Sequence, residues 1–239
     1  MRLRFFTRTV AVVIAAATWL PAASFAKSPI THCGQSVLGR AYLLGDLDCT
    51  GFNGHAVEIT RGRLDLNGFT IRGANYYGVH CLGPCRVYGP GTITENGLDG
   101  IHAEDWVIVR NARVTNNAVN GISGGNRVLL NSVIVTGNSF NGVEADNSVV
   151  IRYSTIADNG SHGIDLGVQN CDTAGRVVLR QTNATGNGST CINTPVCADI
   201  TACGRSNPKP RLGRNSVCGK SYVRESGVPG LNWDICSED

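Results

Sequence analysis

The sequence predicts an all-β solenoid in which each repeat is one coil, and three observations support it. The block Asn-x-x-x-Gly-Ile/Val returns every 21 residues, at Asn96…Gly100-Ile101, Asn117…Gly121-Ile122, Asn138…Gly142-Val143 and Asn159…Gly163-Ile164. Between these blocks lie short runs rich in Val and Ile, too brief for helices and punctuated by Asn and Gly. A unit this small cannot bury its apolar face alone and has to stack on its neighbours.

Taken in order, residues 1–26 read as a secretory leader. Arg2, Arg4 and Arg8 form its basic start, Val10 to Leu20 its apolar centre, and Ser24-Phe25-Ala26 its small-x-small cleavage site. That apolar stretch is short for a membrane span, and no later one is long enough. Residues 27–50 read as an N-terminal cap over the open edge that a strand stack would expose.

Residues 51–191 carry the coils, each with three short strands. The first follows the glycine, as in Val79-His80-Cys81, Ile101-His102-Ala103-Glu104 and Val143-Glu144-Ala145-Asp146. The second is β-branched, as in Val107-Ile108-Val109 and Val149-Val150-Ile151; the third is expected at Ala112 to Val114, Val133 to Val135 and Ser154 to Ile156. Each strand then pairs in parallel with its counterpart one coil away, at about 4.8 Å. Asn96, Asn117, Asn138, Asn159 and Asn187 should form a structural ladder of stacked amides. The last interval is 28 residues, so a loop from Gly167 to Arg176 should absorb the excess. Residues 192–239 lose the period and read as a cysteine-rich C-terminal cap or tail.

The segment Asp65-Leu66-Asn67-Gly68-Phe69-Thr70-Ile71-Arg72-Gly73 and the Asn-x-x-x-Gly series resemble right-handed parallel β-helix proteins of the pectin-lyase-like superfamily. Cys33-Gly34, Asp46-Leu47-Asp48-Cys49 and Asn232-Trp233-Asp234-Ile235-Cys236 are similar to secreted bacterial members. The resemblance implies the fold, about six coils of it. It leaves function open, because that superfamily holds lyases, hydrolases, epimerases and non-catalytic proteins. No catalytic motif carries over: Ser161-His162-Gly163 is not the Gly-His-Gly of polygalacturonases. The spacing Arg205-Ser-Asn-Pro-Lys-Pro-Arg211 does not fit the arginine motif of pectate lyases.

Ten cysteines, all beyond the leader, point to an oxidising, extracytoplasmic setting. Nearest-neighbour pairing gives Cys33–Cys49, Cys81–Cys85, Cys171–Cys191, Cys197–Cys203 and Cys218–Cys236. His80 beside Cys81 and Cys85 offers soft metal ligands as the alternative to a small disulfide loop. The chain has 21 basic and 18 acidic residues, but three of the arginines lie in the leader. The mature chain is therefore formally neutral, and bulk charge makes no case for nucleic acid.

Chemistry concentrates on the first strand. Alternation turns Glu58, His80, His102, Ser123, Glu144 and Asp165 outward in one column, and Thr60, Leu82, Glu104, Gly125, Asp146 and Gly167 in the next. Glu144 and Asp165 should sit about 4.8 Å apart at the backbone, and Asp146 roughly 7 Å along the strand from Glu144. Carboxylates this close push one pKa upward, as acid–base catalysis needs, or share a hard cation such as Ca²⁺. Glu144, Asp146 and Asp165 are the candidate catalytic residues; His80, His102, Glu104 and Ser123 are the candidate substrate contacts. The bland alternative is a solvated outer face. The second strand turns Ile108, Leu129, Val150 and Val178 outward, an apolar stripe expected to be covered by the tail or by a partner. The leading function is binding, with lyase or glycosidase cleavage, of a polysaccharide or cell-surface glycan. The alternatives are a non-catalytic glycan-binding or interaction protein, and a periplasmic metal-binding accessory protein using His80 and His102.

Overall fold

The computed structural model describes residues 27–166 and 176–188, and the backbone of five strands beyond them (Ile200–Cys203, Arg211–Leu212, Val217–Cys218, Ser221–Glu225 and Val228–Trp233). The leader, the loop at 167–175 and the pairings Cys171–Cys191, Cys197–Cys203 and Cys218–Cys236 lie outside the described side chains. The chain winds as a parallel β-solenoid of right-handed type with about six turns.

Three stacks of parallel strands make the walls. The first contains Val79–Cys81, Ile101–Ala103, Ile122–Gly124, Val143–Ala145 and Ile164–Leu166. The second contains Cys85–Tyr88, Trp106–Arg110, Arg127–Asn131, Ser148–Arg152 and Arg176–Arg180. The third contains Thr70–Arg72, Thr92–Thr94, Arg113–Thr115, Ile134–Thr136, Thr155–Ala157 and Asn183–Thr185, one residue later than alternation placed it. Beyond residue 191, Ile200–Cys203, Arg211–Leu212 and Val217–Cys218 pair in parallel with the last strand of each stack.

The core is one apolar column per inward position. Val79, Ile101, Ile122, Val143 and Ile164 are fully enclosed, as are Val87, Val109 and Ile151 of the second stack and Ile93, Val114, Val135 and Ile156 of the third. The β-branched residues that favour extended backbone thus also fill the solenoid's interior.

The repeat motif has a steric and a hydrogen-bonding cause. Asn96, Asn117, Asn138 and Asn159 each donate through Nδ2 to Oδ1 of the next asparagine at 2.8–2.9 Å, ending on Asn187. Each Oδ1 of Asn117, Asn138, Asn159 and Asn187 also accepts the backbone N–H of the asparagine one coil earlier. The last step spans 28 residues and keeps the ladder intact. The motif glycine is required by the same ladder. A Cβ at Gly121 would lie 2.4 Å from Val135, 2.6 Å from the Gly142 carbonyl oxygen and 2.8 Å from Asn138 Nδ2. Only glycine lets the strand start this close to the asparagines.

Cys33–Cys49 and Cys81–Cys85 are disulfides, as nearest-neighbour pairing expected. The Cys81 and Cys85 thiolates are therefore not available to a soft metal beside His80. Among the described residues no helix is long and apolar enough to cross a membrane.

Candidate functional site

Register confirms the predicted first column. Glu58, His80, His102, Ser123, Glu144 and Asp165 are direct partners in successive coils. The column is not a solvated surface, however. His80, Ser123 and Asp165 are buried, with 9%, 8% and 4% of their surface exposed, and Glu58, His102 and Glu144 are half-buried. The expected second column falls past the strand ends: Leu82, Glu104, Gly125 and Asp146 follow strands that stop at Cys81, Ala103, Gly124 and Ala145. Glu104 and Leu82 are exposed, Asp146 is half-buried, and Gly167 lies outside the described residues.

What sinks the first column is a second side-chain ladder along the adjoining corner. Asp99 Oδ1 accepts the Asn120 backbone N–H at 2.9 Å, Asn120 Oδ1 that of Asn141 at 3.0 Å, and Asn141 Oδ1 that of His162 at 3.1 Å. Tyr77 and His55 continue the line toward the N-terminus, with the Tyr77 N–H on His55 Nδ1 at 3.4 Å. Sequence reasoning missed these residues. Their signal was the position before each motif glycine, which reads Asp99, Asn120, Asn141 and His162 at the same 21-residue interval.

The ladder reaches onto the candidate column and divides it in two. Toward the C-terminus, Glu144 Oε2 accepts from Asn120 Nδ2 at 2.9 Å and Asn141 Nδ2 at 3.2 Å. Burial raises the Glu144 carboxyl above its ordinary range, and the charges of Asp165 and Asp99 add to the rise, against the pull of the two amides. Burial also raises Asp146. Of the three candidate catalytic residues, Asp165 is Glu144's direct partner in the next coil, whereas Asp146 falls in the bend just past the Val143–Ala145 strand, outside the strand where it was expected.

Toward the N-terminus the same face gathers rings. Tyr77 stacks on His102 with centroids 4.4 Å apart and planes 7° apart, and on His55 at 5.0 Å and 5°. His80 lies 4.3 Å from His55 and 5.7 Å from His102. Asp99 Oδ2 is 3.1 Å from His102 Nδ1, and Glu104 Oε1 is 3.3 Å from His80 Nε2 and 3.6 Å from His102 Nε2. Burial pulls the His102 ring down, but the hydrogen bond and charge of Asp99, with Glu104 and Glu144, outweigh it and the net shift is upward. For His55 burial dominates and the shift is downward.

Between the two clusters stand the smallest residues of the face, Ser123 and Gly125. A Cβ at Gly125 would lie 2.3 Å from the Glu104 carbonyl oxygen, so the backbone of the preceding coil enforces glycine there.

The second sheet presents a face of the opposite sign. Arg40, Arg63, Arg86, Ile108, Leu129, Val150 and Val178 are consecutive partners in its central outward column. Arg110, Asn131, Arg152 and Arg180 form the column on one side, and Trp106, Arg127, Ser148 and Arg176 that on the other. Arg63 lies over the Tyr88 ring at 4.1 Å and Arg86 over Trp106 at 5.0 Å. Asp65, the carboxylate in register with Tyr88, pairs with Arg63 at 2.5 Å. The predicted apolar stripe is thus fenced by arginines: Ile108, Leu129 and Val150 are half-buried and Val178 is buried. Arg211–Leu212 pairs edge-on with the last strand, with Arg211 opposite Val178.

No protein-family model matches the sequence, and no curated protein matches it. Among solved structures the chain is similar to the crystal structure of pectate lyase Pel9A, at 15% identity and a TM-score of 0.41. The match covers 82% of this chain and 54% of that one, so the chain spans about half of that protein's length. A likeness this low bears on neither site nor substrate.

Proposed function

We propose that the chain is an extracytoplasmic polysaccharide-active β-helix that takes a neutral glycan along the first-sheet face and cleaves it by glycosidase-type acid–base chemistry. The observation that carries this reading is Glu144, a half-buried carboxyl favoured in its protonated form beside buried Asp165. A carboxyl biased toward its protonated form is what a leaving-group oxygen requires of a general acid.

The roles follow from position. Glu144, held by Asn120 and Asn141, is the general acid. Asp146, on the more open column, is the base that activates water. Asp146 lies in the bend just past the Val143–Ala145 strand, two residues from Glu144, and an inverting pair requires the two carboxyls to stand about 6.5–9.5 Å apart. Burial first, and then the like charge of Asp165, raise the Glu144 carboxyl above its ordinary range. A flat sugar face would lie over Ser123 and Gly125, the smallest residues of the face, with His102 and Glu104 supplying polar contacts beyond them. The sign of the face favours a neutral glycan, because Glu58, Asp99, Glu104, Glu144, Asp146 and Asp165 would repel a polyuronate. Lyase chemistry is less well served: no Lys or Arg stands in these columns among the described residues. The two disulfides support the extracytoplasmic setting.

The test is turnover by the disulfide-intact chain on neutral and uronate polysaccharides, with Ca²⁺ and with chelator. Reducing ends from a neutral polymer, lost in Glu144→Gln and Asp146→Asn at unchanged thermal stability near pH 4.5, are the expected result. An unsaturated, ultraviolet-absorbing product that depends on Ca²⁺ would replace the acid–base reading with a lyase whose Glu144–Asp165 pair holds the cation. A second reading, non-catalytic glycan binding, is favoured by one observation: both amides on Glu144 Oε2 could serve only to strap the coils together. Binding without turnover would establish it.

A further inference from the structure

We infer that the N-terminal half of the first-sheet face is a binding site for a borderline divalent transition cation of the Zn²⁺ class, held by His80 Nε2, His102 Nε2 and a Glu104 carboxylate oxygen. The inference does not depend on the glycan reading, and its readout is metal, not turnover. The three residues are placed by the solenoid itself. His80 and His102 are direct partners in adjacent coils, and Glu104, in the bend just past the Ile101–Ala103 strand, turns its carboxylate to both rings.

The distances suit a metal. Ligand atoms on a tetrahedral Zn²⁺, with bonds of about 2.0–2.1 Å, stand roughly 3.4 Å from one another. Glu104 Oε1 is 3.3 Å from His80 Nε2 and 3.6 Å from His102 Nε2, and all three ligand atoms lie within 4.8 Å of one another. Two imidazoles and a carboxylate form a donor set for a borderline cation, whereas Ca²⁺ prefers an all-oxygen shell.

The surroundings supply what such ligands need behind them. A metal-bound imidazole presents one nitrogen to the ion and donates its other N–H to an acceptor, commonly a carboxylate. Asp99 Oδ2 is 3.1 Å from His102 Nδ1, which fixes the tautomer that leaves Nε2 free. His80 gives the independent sign. Its ring is nine-tenths buried, yet Nδ1 has no hydrogen-bond partner. The Glu58 carboxylate stands 3.9 Å away, one small closure from taking that proton. A buried imidazole nitrogen left unpaired is costly in a protein without a ligand. With a cation on Nε2, the ring turns its N–H to Glu58 as His102 turns its own to Asp99. Glu104 is exposed, so the site opens to solvent and keeps a coordination position free.

The experiment is Zn²⁺ binding to the oxidised full chain by calorimetry and by metal content after dialysis, with Co²⁺ as the spectroscopic probe. One equivalent should bind, and Co²⁺ should give a four- or five-coordinate visible band. His102→Ala should abolish both. Glu104→Gln should weaken binding, and the positioning change Asp99→Asn should weaken it about 10–100-fold while altering the Co²⁺ band. Affinity should fall as the pH is lowered, because protons compete with the cation for its ligands. His55→Ala and Glu144→Gln should leave binding unchanged. Each variant is first shown to melt as a folded protein. Failure of the folded chain to retain Zn²⁺ overturns the inference, as does binding indifferent to His102→Ala. Loss of binding in His55→Ala also overturns it, moving the site to His55, Glu58 and His80. Failure of glycan turnover alone leaves the inference standing.

Discussion

The first and second sheets are built from the same coils, in the same register and with the same inward Val and Ile, yet their outer faces obey different physics. On the first, polar side chains are sunk beside a hydrogen-bonded corner ladder: His80, Ser123 and Asp165 are buried, and Glu144 is held by two amides. On the second, Arg110, Arg127, Arg152, Arg176 and Arg180 are exposed, with no ion pair among the described residues. Burial gives the first face perturbed carboxyls and an unpaired imidazole. Exposure leaves the second with charges that water and salt screen. The solenoid fixes where side chains stand, and the neighbouring corner decides whether they become chemically unusual.

Four substitutions or conditions sharpen that contrast. The largest effect is expected on turnover. Glu144→Gln should lower the rate on a neutral glycan by about 10²–10⁴-fold, whereas Arg152→Ala should leave it within about twofold, both read by reducing-end release.

Next comes the ladder that supports both faces. Asn138→Ala removes the acceptor for Asn117 N–H and Nδ2 and the donor to Asn159, leaving buried groups unpaired. It should cost on the order of 2–4 kcal/mol in denaturant unfolding, against less than about 0.5 kcal/mol for Arg110→Ala.

A smaller effect follows from the raised Glu144 carboxyl. Its folded pKa lies above the unfolded value, so its contribution to stability is fully present below the unfolded pKa, near 4.5, and is lost as pH rises through the folded one. Glu144→Gln should therefore melt like the parent near pH 4 and above it at pH 7. The reverse order at pH 7 would mean the two amide bonds outweigh burial.

The smallest effect belongs to the second face. Raising salt from about 10 mM to about 0.5 M should raise the melting temperature slightly by screening the arginines, and Arg152→Ser with Arg180→Ser should reduce that rise.

Much of this was legible in the sequence, for physical reasons that also explain what was not. The Asn–Gly interval spelled out the coil because amide stacking and the Gly121 contact allow few substitutes. Period-two alternation placed Glu58 through Asp165 in one column because a parallel sheet keeps register over every coil. Burial of that column was not legible, since it depends on Asp99, Asn120 and Asn141, whose role appears only when the corner is closed in space. The arginine face was hidden for a simpler reason. A formal charge of zero averages two faces of opposite sign, and only the fold separates Arg86 and Arg127 from Glu104 and Asp146.

The measurement that tests the central claim most directly is the initial rate of reducing-end release from a neutral polysaccharide by the parent chain, Glu144→Gln and Arg127→Ala side by side, each verified as folded. Turnover by the parent and by Arg127→Ala is expected, with a loss of at least about a hundredfold in Glu144→Gln. Equal rates in the parent and Glu144→Gln, or no turnover by any of the three, would contradict it.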